Sequence, residues 1–73
     1  MGNTTFEHYT RAGDYIQLDV VPAYVAPDLA GRLAYSVLNI YGAGHYATRS
    51  QGSANRYLVI HAASGDIVGY VHH

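Results

Sequence analysis

Arg56 to His72 reads RYLVIHAASGDIVGYVH, two apolar runs on either side of Ala63-Ser64-Gly65-Asp66. A glycine-containing break between alternating apolar runs is the signature of a β-hairpin. With Ser64-Gly65 as a two-residue loop, Ala62 pairs with Ile67, Ile60 with Gly69 and Leu58 with Val71. Side chains alternate along a strand, so these six share one wholly apolar face suited to a core. The opposite face then carries Tyr57, Val59, His61, Val68, Tyr70 and His72, rings with polar tips among valines. A rival register makes Gly65 the left-handed residue of a three-residue loop with a bulge, which sets Val68 and Tyr70 beside Leu58 and Ile60. The first register is preferred because it alone gives an uninterrupted apolar face.

Upstream of the hairpin, His45 to Gln51 reads as a short strand, and Gly52-Ser53-Ala54-Asn55 as the turn cluster that joins them. Before that strand lies a helical stripe of Leu29, Ala30, Leu33, Ala34, Val37, Leu38 and Tyr41. Pro27 and Asp28 form its entry, with Asp28 capping free amides, and Gly42 and Gly44 its stop. Gly31 costs such a helix about 1 kcal/mol relative to alanine. Arg32 to Tyr41 also reads as an alternating strand with Leu33, Tyr35 and Val37 on one side, but the stripe and its caps favour the helix.

At the start of the chain, Thr4 to Thr10 alternates loosely and Arg11-Ala12-Gly13-Asp14 breaks the run. Tyr15 to Val21 then alternates strictly, with Ile16, Leu18 and Val20 on one side and Tyr15, Gln17 and Asp19 on the other, the mark of a half-buried strand. Pro22 ends it, since proline donates nothing to a sheet ladder. Ala12-Gly13-Asp14 echoes Ser64-Gly65-Asp66, too short an echo to assign a repeat. The predicted order is ββαβββ: an α+β fold, a small two-layer sandwich of one antiparallel sheet with one helix on one face. Residues 1–73 form a single domain.

A chain of 73 residues without cysteine hides only a little over ~60% of the surface its unfolded form exposes and gains no disulfide to supplement a small core. Small scaffolds without such staples often associate, so a homo-oligomer, with the dimer as its commonest form, is expected. Charged residues make up 12% of the chain against ~25% in ordinary domains; lysine is absent, and eight tyrosines stand against one phenylalanine. Drift in a GC-rich genome is the competing explanation for the missing lysine. It does not account for hydroxyls on nearly every aromatic ring, and tyrosine-rich, lysine-poor surfaces are those where proteins meet. No apolar run approaches the ~18 residues of a membrane span, and the start lacks the basic and apolar regions of a signal peptide. Gly2 lacks the Ser or Thr that myristoylation wants where Phe6 stands, and the Asn3-Thr4-Thr5 sequon matters only in a secreted chain. A cytoplasmic protein is expected.

The candidate chemistry is thin. His8, His45, His61, His72 and His73 offer imidazoles, but no HxH or HExxH spacing joins them, so neither metal nor cofactor is expected. Ser64, Asp66 and His61 contain the atoms of a nucleophile and base, yet turn chemistry explains them more economically. Gly42 and Gly44 follow the helix, so they offer phosphate no helix N-terminus. Tyr46, Arg49, Arg56 and Tyr57 could place rings and guanidinium groups together as single-strand nucleic-acid binders do. Four cations against five carboxylates make a poor phosphate footprint. The expectation is a non-catalytic module that binds another protein or protein complex through Tyr57, Val59, His61, Val68, Tyr70 and His72. Chains of this size and kind are frequently regulators or inhibitors that mask a partner surface, phage-encoded inhibitors of host or defence complexes among them. Single-stranded nucleic-acid binding is the first alternative; a small oligomeric enzyme or histidine metal protein is the second.

Overall fold

The computed structural model describes residues 2–73. Strands β1 (Asn3–Thr10) and β2 (Tyr15–Pro22) form the first hairpin. A single 3-10 turn (Ala23–Val25) leads to helix α1 (Leu29–Tyr41), and strands β3 (His45–Arg49), β4 (Arg56–His61) and β5 (Asp66–His72) follow. The order is ββαβββ, as the periodicity predicts. All neighbours in the five-stranded sheet are antiparallel, in the order β2-β1-β5-β4-β3. β5 is thus the central strand, joining the two hairpins through pairs from Glu7–His72 to Thr10–Gly69.

The helix begins where Asp28 Oδ1 accepts a hydrogen bond from the Gly31 amide at 3.0 Å. Gly31 has a packing reason to be glycine: a Cβ there would lie 2.6 Å from the Ala26 Cβ and 2.8 Å from Asp28 Oδ1. At the other end Gly42, with φ +90°, donates its amide to the Leu38 carbonyl and stops the helix. Arg32 ties α1 to the sheet, donating to the Ala26 carbonyl at 2.9 Å and to the Thr4 hydroxyl at 3.0 Å. The core between the layers contains Phe6, Val21, Leu33, Val37, Tyr57, Val59 and Val71.

The closing hairpin departs from the preferred register. Its loop has four residues, Ala62 to Gly65, between the partners His61 and Asp66. Both primed two-residue turns require positive φ at their first central position, here Ser64. The chain puts Gly65 alone there, at φ +76°, with its amide bonded to the His61 carbonyl at 2.7 Å. A bulge at Val68 follows, so the pairs are Ile60–Ile67, Val59–Gly69, Leu58–Tyr70 and Tyr57–Val71. Tyr57, Val59, Val68, Gly69 and Val71 therefore face the helix, while Leu58, Ile60, Ile67 and Tyr70 face away from it. The six residues expected to bind protein are thus split between the two sides.

β2 departs in a related way. Its alternation from Gln17 onward is inverted, with Leu18 and Val20 46% and 47% exposed and Asp19 pointing toward the helix, and a bulge at Ile16 brings Tyr15 onto the side of Leu18. Asp19 is there because the Ser36 hydroxyl donates to its Oδ2 at 2.7 Å, and Ser36 Oγ in turn meets His8 Nε2 at 2.7 Å. Since the Ser36 proton goes to Asp19, Ser36 Oγ accepts from His8, which fixes the imidazole proton on Nε2. His8 Nδ1 is left buried without a partner.

Burial pushes the His8 pKa below its ordinary 6.5, against the opposing pull of the Asp19 carboxylate. The unfolded chain then takes up this proton before the folded one does, so stability falls as pH drops from 6.5 through the lowered His8 value. Urea midpoints measured between about pH 7.5 and about pH 5 should decline, and His8→Gln should flatten the slope. An unchanged slope in a folded His8→Gln variant would remove His8 as its source.

Candidate functional site

One helix on one side leaves the other side of the sheet uncovered. Strand register arranges that open face in rows running across the strands. Leu18, Glu7, His72 and Arg56 form one row on β2, β1, β5 and β4. Tyr15, Tyr9, Tyr70, Leu58 and Thr48 form the next, spanning all five strands. Ile67, Ile60 and Tyr46 close the face on the side of the last turn.

The middle row is an aromatic ladder. Tyr9 and Tyr15 meet edge to face with centroids 5.7 Å apart, an arrangement favoured by the ring quadrupoles. Tyr70 lies between Tyr9 and Leu58, and the Arg56 guanidinium carbon sits 4.3 Å from its ring centroid. Beside it, Glu7 Oε1 lies 3.3 Å from His72 Nδ1 and accepts the Tyr9 hydroxyl at 3.3 Å. Loss of surrounding water, and after it the Glu7 carboxylate, holds the Tyr9 hydroxyl above the ordinary tyrosine pKa. Between these side chains runs a shallow depression of about 320 Å³. Tyr15 and Tyr46 remain 56% and 51% exposed at opposite margins and Leu18 and Val20 are exposed on β2, while Tyr9, Tyr70, Leu58 and Ile67 between them are half-buried and Ile60 is buried. Exposed apolar side chains grouped on one face in this way are a mark of association surfaces.

Of the six residues expected to bind protein, Tyr70 and His72 lie on this face. Val59 is fully buried and Tyr57 is 7% exposed, both beneath α1, and Val68 packs against the same core. His61 is on the helix side too, its ring 5.1 Å from that of His45 and its Nδ1 2.9 Å from Ser64 Oγ. Ser64 Oγ also accepts the Asp66 amide, so this trio closes the turn. The nucleic-acid quartet divides as well: Tyr46 and Arg56 are on the open face, whereas Arg49 stands over the Tyr57 ring at 5.6 Å on the other. Among the described residues no three His, Cys, Asp or Glu side chains converge as metal ligands, and no helix is long and apolar enough to cross a membrane.

Sequence reasoning missed Glu7, Tyr9, Tyr15, Leu18 and Val20 as parts of the face. The available signal was the alternation of β2, whose apolar side was assigned to the core. A second depression, about 450 Å³, lies between α1 and β3 over Leu33, Ala47 and Tyr57, and its polar margin is His45 and Arg49. The chain matches no protein-family model, no curated protein and no solved structure.

Proposed function

We propose that the protein is a non-catalytic binding module of the cytoplasm, a small regulator or inhibitor that masks a partner protein with the open face of its sheet. The observation that carries this reading is the tyrosine ladder Tyr15–Tyr9–Tyr70, laid beside Leu18, Val20 and Leu58 on a face that no element among the described residues covers. Tyrosine rings bury large area at low entropic cost, and a rigid sheet presents them pre-organised. Nucleic acid is favoured less. Arg32 is held by Thr4 and Ala26, Arg49 is on the helix side and Arg11 stands in the first turn, so Arg56 is the guanidinium within the face, with Glu7 nearby.

The experiment takes a partner protein captured from the source cells, purifies it and titrates it against variants. Tyr70→Ala should weaken binding by at least about tenfold, the effect of truncating a central aromatic anchor. Tyr35→Ala, on the exposed side of the helix, should leave it unchanged. Equal affinity in a folded Tyr70→Ala variant would remove this face from consideration.

A further inference from the structure

We propose that a second copy of this chain seats on the open face, closing two sheets into a four-layer α-β-β-α dimer about a two-fold axis that runs along β5. This inference rests on the reading above that the face is an association surface, and it names a second copy as the occupant that a partner protein displaces.

Symmetry of the sheet is the first argument. β5 has two strands on each side, so a two-fold along it lays β1 over the second copy's β4 and β2 over the second copy's β3. The strands of the two sheets stay aligned, which is the common geometry of face-to-face packing. Charge complementarity is the second. Glu7 on β1 and Arg56 on β4 flank His72 in a single row. The same rotation therefore places each Glu7 opposite the second copy's Arg56, twice per dimer, with no like charges opposed in that pair. Tyr9 meets the second copy's Leu58, and the two Tyr70 rings approach at the axis.

Area is the third argument. Five strands at ~4.8 Å spacing, about 20 Å long, project roughly 500 Å², and side-chain relief raises the accessible surface toward the ~600–800 Å² per partner of stable interfaces. The monomer itself is already compact. Its accessible surface of 4420 Å² matches the roughly 4,400 Å² expected of a folded monomer of its mass.

The test is sedimentation equilibrium of the full chain from low micromolar concentration to about 1 mM. The wild type should move from 7.9 kDa toward twice that mass as concentration rises. Glu7→Arg and Arg56→Glu should each weaken the dimer at least about tenfold by opposing like charges, and the double swap should restore it to within a few fold of wild type. Leu18→Arg should weaken it without rescue by either. A chain that stays monomeric throughout overturns the second copy as occupant, while the Tyr70→Ala titration against a captured protein still judges the face itself. A dimer indifferent to Leu18→Arg and to the swaps is joined elsewhere, along the free edges of β2 or β3 or through the helical side, and it too overturns the inference.

Discussion

Gly69→Ala is expected to destabilise the protein by about 2–4 kcal/mol. Gly69 sits on the helix side of β5 opposite Val59, and Tyr41 of α1 reaches across it to donate its hydroxyl to the Tyr9 carbonyl at 3.1 Å. A Cβ at position 69 would collide with the Tyr41 hydroxyl and fall 2.6 Å from the Tyr9 carbonyl oxygen. The Tyr41 ring has room to swing away only by giving up its hydrogen bond. The Tyr9 carbonyl belongs to β1 and is fixed by the pairing of Tyr9 with Tyr70 and Thr10 with Gly69. Overpacking of this kind costs about 1–3 kcal/mol, and the lost hydrogen bond adds about 1 kcal/mol. Adding Tyr41→Phe to Gly69→Ala removes one of the two obstacles, so the double variant should recover part of the loss instead of summing two losses. Urea unfolding of the three variants checks this. A Gly69→Ala cost below about 0.5 kcal/mol would contradict the close approach.

Val59→Asp is expected to abolish folding, whereas Tyr70→Asp leaves a cooperative domain. Val59 is fully buried within the cluster of Phe6, Leu33, Val37 and Val71. A carboxylate placed there has no cationic partner, and an unpaired buried charge costs about 3–5 kcal/mol or more. A domain of this length has a total stability of roughly 4–11 kcal/mol, so that penalty, added to the lost valine packing, consumes most or all of it. Tyr70 is on the opposite side, where its substituent meets Arg56 and water. Circular-dichroism melts separate the two outcomes. A cooperative Val59→Asp domain would mean that β4 faces the other way.

The layout of elements was legible because it rests on local signals. The Asp28 cap, the apolar stripe from Leu29 to Tyr41 and the Gly42 stop all point to one helix. The two glycine turns mark two hairpins. What was not legible was which side of each hairpin meets that helix. The loop at Ala62–Gly65 is two residues longer than the shortest possible turn, and the bulge at Val68 then changes the facing of β5 relative to β4. A register shift of one residue moves every side chain to the other side of a sheet. Val59 and Tyr57 were accordingly assigned to the surface, and Leu58 and Ile60 to the core. On β2 the signal misled for a different reason. Leu18 and Val20 look like core residues by composition, but Asp19 has a hydroxyl waiting for it on α1 in Ser36, a partner far off in sequence. Tyr70 and His72 still share one side, the open face, because β5 beyond the bulge keeps its alternation.

We propose that this protein associates through the sheet side away from α1. The most direct measurement is hydroxyl-radical footprinting of its tyrosines, read by mass spectrometry, before and after association with a second copy or a captured partner. Tyr15, Tyr46 and Tyr70 should lose reactivity, while Tyr24 on the 3-10 turn and Tyr35 on the exposed side of the helix, 88% and 41% exposed, should keep theirs. Protection of Tyr24 and Tyr35 with Tyr15 and Tyr46 still reactive would contradict the claim and put the interface on the helical side.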